Sequence, residues 1–141
     1  MDKALNSLSL GRTAGLIELG EEPVGGATRA LKAKLVVVAS DSGDHTWRRA
    51  KSFVAGTDQV CIRVPYTKDE LGQATGRTSL AIGAFTDPSM ALAFLKALPQ
   101  QERYSEELKA LENRAQKARQ RQDEARAHQK NKRFGKPGKK H

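Results

Sequence analysis

The run Leu35-Val36-Val37-Val38-Ala39 limits what this chain can fold into more than any other stretch. It is an unbroken, largely β-branched apolar segment between a basic lead-in, Lys32-Ala33-Lys34, and a polar stop, Ser40-Asp41. A strand with one wet face alternates apolar and polar residues, so an unbroken run is covered on both faces, and helices supply the cover. Two further stretches read as strands: Gln59–Val64, where Val60, Ile62 and Val64 alternate with Cys61 and Arg63, and Leu80–Phe85. Helix-like segments separate them. The alternation predicts an α/β domain in α/β/α layers, with Leu35–Ala39 near the middle of a small sheet. Ser40-Asp41 then opens into a loop at the strand end, where such sheets place ligands.

The helical segments are bounded by recognisable signals. Ala4, Leu5, Leu8 and Leu10 give a helical apolar face, and Gly11 is its expected stop. Leu16–Leu19 reads as a short extended piece. Glu21-Glu22-Pro23 then starts a helix, because proline loses nothing in a first turn and carboxylates favour the positive end of the helix dipole. That helix runs to about Leu31, weakened by Gly25-Gly26. After Asp41-Ser42-Gly43-Asp44, a helix to Gly56 places Trp47, Ala50, Phe53 and Val54 on one core-facing stripe. Thr67-Lys68-Asp69-Glu70 is a capping box for a short helix that Gly76 ends. Asp87-Pro88 opens another, whose Met90, Leu92, Phe94, Leu95 and Leu98 cover the sheet until Pro99.

Charge divides the chain. Residues 1–98 carry 12 Lys/Arg against 10 Asp/Glu, whereas residues 99–141 carry 13 against 6, which together make the net charge of +9. Residues 1–98 therefore read as a nearly neutral domain, residues 99–129 as a basic helical extension and residues 130–141 as a disordered basic tail. Tyr104, Leu108, Leu111, Ala115 and Ala118 form the extension's thin apolar stripe. The candidate anion contacts there are Arg114, Lys117, Arg119, Arg121, Arg126, Lys130, Lys132 and Arg133. An anionic polymer is the partner this asymmetry implies, RNA rather than membrane, since the tail has few bulky apolar residues to insert. Cys61 is the one cysteine, so no intrachain disulfide forms and multi-cysteine zinc sites are excluded. With no leader-like start and no run long enough to span a bilayer, the reading is a cytoplasmic protein.

Leu71-Gly72-Gln73-Ala74-Thr75-Gly76-Arg77 is the most informative short segment. Its small residues leave room for another backbone to approach, with Arg77 free to reach a phosphate. The stretches GEEPVGGATRALKAKLVVVASD, DHTWRRA and TKDELGQATGRTSLAIGAFTD, in that order and spacing, resemble the ribosomal L-seven-Ae superfamily of kink-turn RNA-binding proteins, and most of all its small bacterial members encoded near translation factors. The resemblance covers roughly residues 3–98. It implies a three-layer α/β/α sandwich with a small mixed sheet, no catalytic activity and no cofactor or metal. It also implies an RNA surface built from the helix beginning near Gly20 and the loop after Gly76. Gly20, Lys32, Lys34, Leu71, Gly72 and Gly76 match the family, and Glu21, Glu22, Gly26, Arg77 and Thr78 are further candidate RNA contacts. Tight-binding family members show Asn-Glu where this chain has Glu22-Pro23, and Lys where it has Gly26; the base-reading side chains are absent here.

The expected function is RNA binding at the ribosome or in its assembly, by a monomer that contacts structured, kink-turn-like RNA while the basic tail adds electrostatic affinity. The alternative is a protein-interaction module of the same fold, for which the missing Asn-Glu and Lys are the motive. An enzyme is the weakest reading. Asp41 at a strand end, with His45 nearby, resembles a phosphoryl site, but no phosphate loop, nucleophile elbow or metal-ligand cluster accompanies them.

Overall fold

The computed structural model describes residues 2–133. Four strands form one mixed sheet: β1 (Ile17–Leu19), β2 (Leu35–Val38), β3 (Val60–Arg63) and β4 (Ile82–Phe85), in the order β1-β4-β2-β3. β4 runs antiparallel to both β1 and β2, and β3 runs parallel to β2. The helices are α1 (Lys3–Ala14), α2 (Glu21–Arg29), α3 (Asp44–Val54), α4 (Lys68–Ala74), α5 (Pro88–Ala97) and α6 (Ser105–Arg133), the last entered through a 3-10 turn at Gln101–Tyr104. Of the tail expected over residues 130–141, residues 130–133 belong to α6 and residues 134–141 lie outside the described residues. The side chains of Ala118, Lys130, Lys132 and Arg133 lie outside them as well.

β2 is buried at every position, as an unbroken apolar run requires. Its alternate residues feed two separate cores. Leu35, Val37 and Ala39 meet Leu8 of α1, Leu71 of α4 and Phe94 and Leu95 of α5 on one face. Val36 and Val38 meet Val24 and Ala27 of α2 and Ala50 of α3 on the other. The result is the expected three-layer α/β/α sandwich. Trp47, Phe53 and Val54 of α3 are only partly buried against the second core. Trp47 also receives the guanidinium of Arg63, 5.1 Å from the ring centre, whose Nε and Nη2 are buried without hydrogen-bond partners. The ring's negative face is their compensation.

Gly11 does not stop α1. The helix continues to Ala14, and the left-handed residue that ends it is Gly15, at φ 72°, whose amide returns to the carbonyls of Arg12 and Gly11. Gly11 serves packing instead, since a Cβ there would sit 3.3 Å from Phe85 Cε1. Leu10, 55% exposed, lies two residues and so about 200° around the helix from Leu8, and does not share its apolar face.

At the other end of α1, Asp2 caps the helix by accepting from the amides of Ala4 (2.7 Å) and Leu5 (3.3 Å), and it also accepts from the Tyr66 hydroxyl at 2.8 Å. Burial alone would raise the Asp2 carboxyl, but these donors outweigh it and hold the group below its ordinary value. A depressed folded value gives stability that is present above the unfolded pKa of ~3.9 and lost as pH falls through the folded one. Asp2 is exposed, so Tyr66→Phe should cost only about 1 kcal/mol at neutral pH. Urea unfolding of both proteins checks this: the gap should be present at pH 7 and close once the carboxyl protonates.

α6 docks through its first half. Leu111 and Ala115 are buried, Lys96 of α5 pairs with Glu112 at 3.5 Å, and the Tyr104 hydroxyl donates to the Arg63 carbonyl at 3.2 Å. Beyond Ala115 the described side chains of the helix are exposed.

Candidate nucleic-acid interface

β1 ends where β4 begins and where β2 ends, so the start of α2, the loop between α4 and β4, and the Ser40-Asp41 turn gather at one end of the sheet. Gly20 occupies the junction between β1 and α2 at φ 100°, a conformation that side chains rarely permit, while its amide donates to the Ile82 carbonyl at 3.0 Å. No side chain caps α2. The amides of Glu21 and Glu22 therefore point outward unpaired, and Pro23 has none to offer. This is the positive end of a helix dipole left open to an anion.

Arg77 reaches it, and Arg12 lies against Gly76, the residue before Arg77. A Cβ on Gly20 would lie 3.8 Å from Arg77 Nη1, and a Cβ on Gly76, at φ 74°, would lie 3.1 Å from Arg12 Cζ. Arg12, Arg77 and Thr78 are all exposed. Arg12 escaped the sequence reading. It lies on α1, which carries no motif of its own, and only packing brings it to Gly76. The acidic pair is partly neutralised, because Arg49 of α3 forms an ion pair with Glu21 and stacks over Phe53 at 5.4 Å. Arg49 was missed for the same reason.

Several expected contacts have other roles. Leu71 is a fully buried core residue of α4. Gly72 does admit a close backbone, but that backbone is the chain's own: a Cβ there would stand 2.7 Å from the Ser79 amide nitrogen and 2.8 Å from the Arg77 carbonyl oxygen. Gly72 thus shapes the loop that presents Arg77 without touching a ligand itself. Thr75, buried, reinforces the same turn by donating to the Leu71 carbonyl at 2.8 Å. Gly26 lies on the second turn of α2, half-buried, with nothing but Arg29 near its missing Cβ. Lys32 and Lys34 precede β2 and so stand at the opposite end of the sheet, away from Gly20 and Gly76. They are not part of this interface.

Asp41, the carboxylate of the phosphoryl-site alternative, accepts from the Lys68 amide at 2.8 Å through Oδ1 and so tethers the start of α4 to the end of β2. His45 is exposed on α3. Burial pushes the Cys61 thiol up to about 12, against a smaller opposing pull from Lys51, so it stays protonated at neutral pH. Among the described residues no group of three or more His, Cys, Asp or Glu is placed to hold a metal, and no helix is long and apolar enough to cross a membrane.

No protein-family model matches the chain, and no curated protein does. Solved structures do. A Bacillus halodurans protein of unknown function shares 24% identity, with 67% of this chain and 98% of that one superimposed at a TM-score of 0.60. A 15.5 kDa RNA binding protein from Giardia lamblia shares 16% identity over 71% of this chain and 85% of its own, at a TM-score of 0.58. At these identities the likeness establishes that the chain adopts the fold of these proteins.

Proposed function

We propose that this protein is a non-catalytic, monomeric RNA-binding protein of the ribosome or its assembly, which holds structured, kink-turn-like RNA on the edge formed by Gly20 and Gly76. The observation that carries the reading is the uncapped start of α2 at Gly20, with Arg77 beside Gly20 and Arg12 against Gly76. Unpaired amides and two guanidinium forks suit a sharply bent phosphate backbone, which crowds negative charge into a small area. A fold neighbour that is itself an RNA binding protein supports RNA as the partner. Glu22 and Pro23, exposed where the resembling family reads bases, leave shape and backbone charge as what is recognised.

The test is binding of the full-length protein and of Arg12→Glu/Arg77→Glu to a kink-turn RNA and to a plain duplex, each at two salt concentrations. The double variant should bind the kink-turn at least about tenfold more weakly, with a shallower salt dependence, since each lost phosphate contact removes released counterions. Equal affinity of the wild type for both RNAs would end the structural reading. Glu22 and Pro23, which favour the protein-interaction alternative, would then mark a protein-facing surface.

A further inference from the structure

At the opposite end of the sheet lies a groove of about 380 Å³, and four cations line it: Lys34, at the entry to β2, and Arg114, Lys117 and Arg121 of α6. The three from α6 are spaced three and four residues apart, so they share one helix face. Asp58 is the one carboxylate in the lining. None of the four cations has an ion-pair partner among the described residues. Arg119 and Arg126, equally basic and exposed, lie outside the groove. Docking of α6 at Leu111 and Ala115 therefore sorts cations that looked alike in sequence into a concentrated set and a dispersed one.

Leu31, on the rim, is a second and independent sign. It is 63% exposed and sits at φ 59°, in left-handed backbone. Its amide donates to the Thr28 carbonyl and that of Lys32 to the Ala27 carbonyl, the helix-ending motif in which this position is ordinarily glycine. α1 ends with the same pair of bonds and does use glycine there, Gly15. A leucine in this conformation carries about 1–2 kcal/mol of strain, and exposed to water it gains no burial in return. Strain of this kind, kept on a groove rim, points to a contact made when the groove is filled.

Resting on the RNA-binding reading, we propose that this groove is a second RNA site, which grips a single-stranded segment by its phosphates while a base rests on Leu31. Its volume is that of a small-ligand cleft, too small for a duplex. Cations along a groove with an apolar platform at its rim are the combination by which single strands are held without sequence preference. At ~3.3 Å per strand residue, Lys34 and Ser40 stand ~20 Å apart, beyond a Debye length at physiological salt, so the two ends of the sheet act as separate charged sites. The domain thus joins two RNA segments.

Anisotropy with a fluorescent oligouridylate and with kink-turn RNA, both on the full chain, tests this. Lys34→Glu/Arg121→Glu should weaken oligouridylate binding at least about tenfold more than the charge-matched Arg119→Glu/Arg126→Glu, while both leave kink-turn affinity close to that of the wild type. Leu31→Gly should raise the melting temperature and yet weaken oligouridylate binding, an outcome that unfolding cannot mimic. Equal effects of the two double variants on oligouridylate would overturn the groove and leave the Gly20–Gly76 edge standing. Displacement of the oligonucleotide by polyglutamate of equal charge would overturn it in favour of an acidic protein partner. Failure of the wild type to bind either RNA would remove both readings together.

Discussion

Gly72→Ala is expected to lower stability by about 2–3 kcal/mol, the cost of forcing a methyl group into a filled space. The new Cβ would stand under 3 Å from three backbone atoms of residues 77–79, and backbone cannot swing aside as a side-chain tip can. The loop must move off α4, and Arg77 moves with it. RNA affinity should therefore fall more than the loss of stability accounts for at temperatures where the variant remains folded. Thermal unfolding combined with kink-turn binding well below the transition separates the two effects. A variant with wild-type stability would mean that the loop is not held against α4 in solution. Gly76→Ala, by contrast, places its methyl against the flexible end of Arg12, so its cost comes from the left-handed backbone, about 1–2 kcal/mol.

The second large effect is expected at Leu111→Ala. Leu111 is fully buried beneath α6, and removing a buried leucine's outer carbons costs about 2–4 kcal/mol, the spread depending on how far the site collapses. The Tyr104 hydroxyl anchors the turn before the helix, and within the helix little else holds it. Ala115 is small, Leu108 is only partly buried, and the Lys96–Glu112 pair is exposed and worth little. The variant should therefore release α6 while the sheet and its two cores stay folded. Hydrogen exchange would report this as loss of protection over residues 105–115 with protection of β2 and β4 retained. The groove at Arg114, Lys117 and Arg121 should lose its hold on oligouridylate at the same time, and the Gly20–Gly76 edge should keep its kink-turn affinity. Equal, fast exchange over 105–115 in the wild type would show that α6 does not dock at all.

Much of the architecture was legible from local chemistry. The Leu35–Ala39 run could only be a strand covered on both faces, and the alternation of strands with capped helical segments left few layerings to choose from. The Thr67–Glu70 capping box and the Asp87-Pro88 helix start were readable because each is a short-range hydrogen-bonding device complete within four residues. Gly11 was misread for the opposite reason. A glycine that admits a helix close to a sheet and one that ends a helix look the same in sequence, and only the position of Phe85, far along the chain, tells them apart.

The candidate interface divides along the same line. Gly20 entered through the resemblance, whereas Gly76 and Arg77 stood out as part of a glycine-rich segment. Arg12 and Arg49 did not, since nothing around them separates a framing arginine from a solvated one until α1 and α3 pack. Lys32 and Lys34 stand at the other end of the sheet from Gly20 and Gly76: a strand of a few residues carries the chain from one end of the domain to the other, and neighbours in sequence part company. The sequence by itself thus determined which elements form and how they layer, because these follow from periodicity and capping. Tertiary structure alone decided which cations lie together and whether α6 lies on the domain, because both depend on contacts between residues the chain holds far apart.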